Sequence, residues 1–175
     1  LSEIETSVGE KRKLLQEALE LRERNIKLYD QLVAPGTWLR GMSRNYLALI
    51  KAEMAKMEED HGKKVNLLEE AISSMEECVQ ICLRWVQSLP EESTFAAVGW
   101  YHDWFGEILN QQYSLTKDEK ILDRAIEVCQ STAEVYQKAG MPSRVGEAYW
   151  KAAKLHDQRM EYVKAADNFT SAMKS

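Results

Sequence analysis

Only three prolines interrupt this 175-residue chain, and between them the apolar residues recur at steps of three and four. That recurrence places them on one face of an α-helix, whereas a half-buried strand needs a step of two. Leu14, Leu15, Ala18, Leu21 and, further on, Leu28 and Leu32 form one such stripe. The prolines fall in "APG" at 34–36, "LPEES" at 89–93 and "GMPS" at 140–143, where the periodicity breaks. Three stretches offer a hydroxyl followed three residues later by glutamate, the capping-box signature of a helix start: Ser7 with Glu10, Ser88 with Glu91, and Thr116 with Glu119. Pro90 suits a first helical turn, where no N–H bond is lost. These signals predict seven helices, over 8–33, 38–59, 63–87, 90–113, 118–139, 143–158 and 161–174. Short connections favour antiparallel neighbours. The expected class is therefore all-α: about seven antiparallel helices stacked as helical hairpins.

Composition removes several functional classes. Hydrophobic residues make up 45% of the chain and charged residues 29%, a balance that buries a core rather than leaving the chain disordered. The net charge of −5 is spread along the chain, and "EKRK" at 10–13 is the only dense basic run. A nucleic-acid surface would need clustered Lys and Arg to neutralise phosphates, so none is expected. Apolar runs such as "NYLALI" are far too short for a membrane span, and the N-terminus has no apolar core of a secretory signal. Cys78, Cys82 and Cys129 form no CxxC pair and leave an odd count, the pattern of reduced, buried thiols in a cytoplasmic protein. The chain begins at Leu1 and ends at "SAMKS" directly after a periodic stretch, so it reads as a piece of a longer protein.

Internal similarity sharpens the architecture. "LLEEAISSMEEC" (67–78), "ILDRAIEVCQST" (121–132) and "YVKAADNFTSA" (162–172) align without gaps. Each carries a large residue (Leu68, Leu122, Tyr162), an alanine three later (Ala71, Ala125, Ala165), then Met75, Cys129 or Phe169, and finally a small residue (Cys78, Thr132, Ala172). A small residue lets helices approach closely while the bulky one a turn later fills the adjacent hollow. This code resembles the second helix of a tetratricopeptide repeat, with A-x3-F following a first helix of the form W-x2-L-G-x2-Y. The best match is 148–173, where Tyr149, Ala152, Ala153 and His156 stand at the first-helix positions and Ala165, Phe169 and Ala172 at those of the second. His102, Phe105, Gly106 and Leu109 give a weaker copy. The alanines fall at unequal intervals, all longer than the repeat's about 34 residues. The Ala-rich stretch 138–169 is more similar to the longer hairpins of soluble NSF-attachment-protein relatives. The resemblance implies a single domain over 1–175, a right-handed superhelix or bundle, with hairpins about 38–87, 90–139 and 143–174 and an extra N-terminal helix about 8–33.

The densest chemistry lies in "GWYHDWFGEILNQQY" at 99–113. On a helix Tyr101, Phe105, Ile108, Leu109 and Gln112 fall on one side, and Trp100, Trp104 and Glu107 on the neighbouring side. The first set reads as a packing seam; the second is either core or the wall of a groove. His102 and Asp103 are sequence neighbours that diverge on a helix, so they form no dyad, and His102 reads as a ring filling the space beside Gly106. Cys78 and Cys82 share a face but make only half of a metal site. The glutamate clusters read as solvated faces, and no phosphate loop, HExxH or G-x-S-x-G is present. No cofactor, metal or catalytic residue is therefore assigned.

In tetratricopeptide arrays the first helices line a concave surface. The resemblance places Trp100, Asp103, Glu107 and Asn110 of one hairpin there, and Glu147, Trp150, Lys154, Asp157 and Gln158 of the last. Asp103 and Glu107 would repel a terminal carboxylate, so a basic or aromatic-bearing peptide or partner helix is the expected ligand. The leading expectation is an interaction module, a scaffold or adaptor without catalysis. Alternatives are a sensing segment of a larger signalling protein, an enzyme with its site near 100–109, and self-association through the C-terminal helix, where Phe169 and Met173 form an apolar flank.

Overall fold

The structure, a computed structural model, describes residues 2–159 and 162–174, with side chains described over 7–159 and 164–174. Among the described residues seven helices follow one another: α1 (Ser2–Leu32), α2 (Trp38–Met57), α3 (His61–Ser88), α4 (Glu92–Thr116), α5 (Glu119–Lys138), α6 (Pro142–Gln158) and α7 (Tyr162–Lys174). No described residue lies in a strand. The fold is all-α, as the periodicity predicts.

The chain divides into two compact units, Leu1–Ile81 and Cys82–Ser175, with the division falling inside α3. In the first unit, α1 and α2 run antiparallel. Lys11 reaches Glu53 near one end, while Asp30 receives Arg40 and Arg44 at the other. Arg44 continues to Glu77 on α3, and Lys51 pairs with Glu70, which sets α2 and α3 antiparallel as well. The α2 face toward this core is built from Gly41, Asn45, Ala48, Ala52 and Ala55, small residues at helical spacing that permit close approach. Leu68, Ala71, Met75 and Cys78 of α3 are fully buried, so the first copy of the repeated code is core.

In the second unit, α5 repeats the code: Leu122, Ala125, Cys129 and Thr132 are all buried. The third copy differs, because Ala165 is buried while Phe169 is exposed, and Tyr162 lies outside the described side chains. Gly99 of α4 sits directly under the Tyr136 ring of α5; a Cβ there would come within 2.4 Å of Cε1. The α5–α6 corner is a Schellman turn, with Gly140 at a φ of 65°, its N–H donating to Gln137 and that of Met141 to Tyr136. Met141 then packs against the cluster of Ala133, Tyr136, Val145 and Ala148.

The helix starts depart from the expected capping boxes. α1 begins at Ser2, which leaves Ser7 inside the helix. Ser88 donates to the carbonyl of Trp85 and closes the last turn of α3, so α4 begins after Glu91, with Pro90 outside it. Asp118, rather than Thr116, caps α5 by accepting from the backbone of Lys120. A carboxylate at a helix N-terminus is the stronger acceptor and also meets the positive end of the helix dipole. The α1 stripe departs too. Leu15, Leu19, Ile26 and Tyr29 are half-buried, whereas Leu14, Leu21, Leu28 and Leu32 are exposed.

Candidate functional site

The aromatic stretch of α4 splits along its length as helical geometry requires. Phe105, Ile108, Leu109 and Gln112 are buried in the second unit, and Tyr101 is half-buried. Trp100, Trp104 and Glu107 point outward, the two indoles about half exposed. His102 is buried, and neither ring nitrogen has a hydrogen-bond partner among the described residues. Burial lowers its pKa to about 4, against a smaller opposing pull from Asp103, so the ring is neutral at pH 7. The space beside Gly106 is bordered by Cys129 and Val128 of α5 rather than by His102, which corrects the sequence expectation. The ring that does exploit a glycine is Tyr136 over Gly99, one turn from His102 along α4.

A charged relay joins three helices here. The Tyr136 hydroxyl donates to Asp103 Oδ2 at 2.6 Å, and Lys151 of α6 donates to Asp103 Oδ1 at 2.9 Å. The same ammonium lies 3.1 Å from Glu107 Oε1. Burial and the adjacent Asp103 carboxylate both push the Tyr136 phenol upward, so it stays protonated. Burial pulls Lys151 down, but hydrogen bonds and charge from Asp103 and Glu107 outweigh it and leave the amine above its usual value. Burial likewise drives the Cys129 thiol up to about 12. None of these groups is poised to exchange a proton near neutrality.

Beside the relay lies a groove of about 200 Å³ between α4 and α6, lined among others by Glu107, Asn110, Trp150, Lys154 and Gln158. Five of the residues expected from sequence therefore meet in one place. The Lys154 ammonium rests 3.5 Å from the centre of the Trp150 ring, a cation–π contact on a half-exposed indole. Asn110 Oδ1 is buried without a hydrogen-bond partner among the described residues. Of the other expected residues, Asp103 is occupied by Tyr136 and Lys151, Glu147 pairs with Arg144 at 2.6 Å, and Asp157 and Trp100 are exposed outside the groove lining. Trp100 and Trp104 share the α4 face that Glu107 continues into the groove. Sequence reasoning missed Lys151: only the register of α6 against α4 brings its ammonium between Asp103 and Glu107. It also missed a second cavity of about 360 Å³ at the α5–α6 corner, lined by Met141, Val145, Tyr149 and Lys174.

All three cysteines are free and buried, and among the described residues no group of three or more His, Cys, Asp or Glu could hold a metal ion. No described helix is long and apolar enough to cross a membrane. The arrangement sets aromatic faces, a fixed cation and polar side chains around one groove.

No protein-family model matches the chain, and no curated protein matches it. Among solved structures, the fold is similar to one described as "DHF58 filament", at 16% identity over 98% of this chain and 84% of that one, with a TM-score of 0.61. At that identity the likeness establishes a shared helical architecture.

Proposed function

We propose that this chain is a cytoplasmic protein-binding module, similar in character to a tetratricopeptide array, that holds a peptide or partner helix in the α4–α6 groove and carries out no covalent chemistry. The observation that carries this reading is Trp150, half exposed at the groove and overlaid by Lys154, facing Glu107 and Asn110. Exposed tryptophans beside a concavity are the usual anchors of an interface, where a few aromatic side chains supply most of the affinity. Trp100 and Trp104 extend the apolar track along α4. Lys151 already matches Asp103 and Glu107, so selectivity comes less from a bare acidic wall than from the indole faces and the partly screened Glu107. A ligand carrying an aromatic residue next to a lysine or arginine fits those groups.

Synthetic peptides with Trp or Phe flanked by basic residues, titrated calorimetrically, test the reading. Trp150→Ala should weaken the tightest of them by about tenfold or more, while Phe169→Ala on α7 leaves it unchanged. Equal affinity for the parent chain, Trp100→Ala and Trp150→Ala would sink the groove.

A second reading is favoured by α7, where Phe169 and Met173 are exposed. Together with the likeness to a filament, this supports self-association through the C-terminal helix. Loss of a concentration-dependent species on Phe169→Ser with Met173→Ser is the expected sign.

A further inference from the structure

The exposed leucines of α1 belong to the first unit and play no part in the groove. Leu14, Leu21 and Leu28 recur every seven residues, and Leu32 continues the line four residues on. All four are half exposed or more, with Leu32 at 79%. Seven residues are almost two helical turns, so the leucines form one narrow stripe about 27 Å long from Leu14 to Leu32. The helix turns a different face to α2, through Leu15, Leu19, Ile26 and Tyr29, with Arg22 laid over the Tyr46 ring. The leucine stripe is therefore a second apolar face, of the heptad kind by which two helices pack together.

The charges along its free edge identify what covers it. On the flank away from α2, the side chains next to the stripe run Glu10, Glu17, Arg24, Gln31 toward the C-terminus, acidic before Leu21 and basic at Arg24 after it, with Glu20 and Lys27 one row farther round the helix. Lys13 breaks the acidic half but is engaged with Glu17 at 3.9 Å. A two-fold axis through Leu21, perpendicular to α1, brings Leu14 of one copy against Leu28 of the other. The same operation sets Glu17 beside Arg24 on both sides of the contact, so the surface is complementary to itself. A parallel copy would instead turn this flank toward the edge that α2 covers. We propose that α1 pairs antiparallel with α1 of a second copy of this chain, through Leu14, Leu21 and Leu28 and flanked by reciprocal Glu17–Arg24 ion pairs.

Sedimentation velocity over a wide concentration range, on the full chain, reads the dimer directly. Because Leu21 and Leu28 are exposed, Leu21→Glu with Leu28→Glu should leave helicity and melting unchanged while raising the dimer dissociation constant by about ten-thousandfold, about tenfold for each of the four leucines lost across the two copies. Glu17→Lys/Glu20→Lys and Arg24→Glu/Lys27→Glu should each be monomeric alone and pair when mixed. Orientation is fixed by cross-linking: an equimolar mixture of Leu14→Cys and Leu28→Cys chains should form the mixed disulfide, since the native cysteines are buried. A parent chain that stays monomeric throughout overturns the proposal, as does a dimer abolished by Phe169→Ser/Met173→Ser and untouched by Leu21→Glu/Leu28→Glu. A mixed disulfide no more abundant than the two like-with-like disulfides overturns the antiparallel arrangement.

Discussion

Replacing Gly99 with alanine should destabilise the second unit, although alanine is the better helix former. Gly99 lies within α4, and a Cβ there would meet three atoms of the Tyr136 ring at 2.4, 2.7 and 2.9 Å. The ring is fully buried and cannot swing into solvent. Helix propensity favours alanine by about 1 kcal/mol. Against that stand overpacking at about 1–3 kcal/mol and, once the ring shifts, weakening of the hydrogen bond to the Asp103 carboxylate at about 1.5–3 kcal/mol. The net loss is about 1.5–5 kcal/mol. Gly106 is the internal control on the same helix. Its Cβ would meet Cys129 Sγ at 3.5 Å and Val128 Cγ1 at 3.8 Å, ordinary contacts, so Gly106→Ala should stabilise by up to about 1 kcal/mol. Urea denaturation followed by circular dichroism and tryptophan fluorescence measures both. Placing Gly99→Ala in a Tyr136→Ala background should reverse its sign, because the obstructing ring is gone. If Gly99→Ala stabilises the parent as much as Gly106→Ala does, the close approach of α4 to α5 is wrong.

Two further outcomes follow from the same unit. His102 has a folded-state pKa of about 4 against an ordinary 6.5, so its contribution is fully present above pH 6.5, falls as the pH drops through that interval, and is lost below about 4. The full span is about 3 kcal/mol; the loss of stability between pH 7 and pH 4.5 should therefore be smaller in His102→Leu than in the parent, and equal slopes would count against a buried neutral ring. Lys151→Met should cost about 1–3 kcal/mol by leaving Asp103 with Tyr136 alone, and Asp103→Asn should make that substitution less costly; simple additivity in the double-mutant cycle would exclude the relay.

The division of α4 into a buried and an exposed face was readable from residue order alone, because 100° per residue fixes which side chains share a side. The burial of Leu68, Ala71, Met75 and Cys78, and of their α5 counterparts, was readable for the same reason. Chain ends of helices were less so. Ser88 and Thr116 carry hydroxyls able to cap, yet a local competitor won each time: the Trp85 carbonyl drew Ser88 back into α3, and the Asp118 carboxylate outbid Thr116. Lys151 was invisible for a different reason. It stands 48 residues from Asp103, and nothing in either helix states the register at which they meet. The α1 stripe shows the opposite limit, since period identifies an apolar face without saying whether the same chain covers it.

The two lysines at the groove differ in a way that their spacing conceals. Lys151 is held between two carboxylates, so its rotamers are already frozen and its position is set before any ligand arrives. Lys154 rests on an indole face and can lift away. A side chain bound as proposed would meet one wall with its entropy already spent and one that must still adjust. Under the proposed function, discrimination by shape would belong to the first, and tolerance of varied sequences to the second.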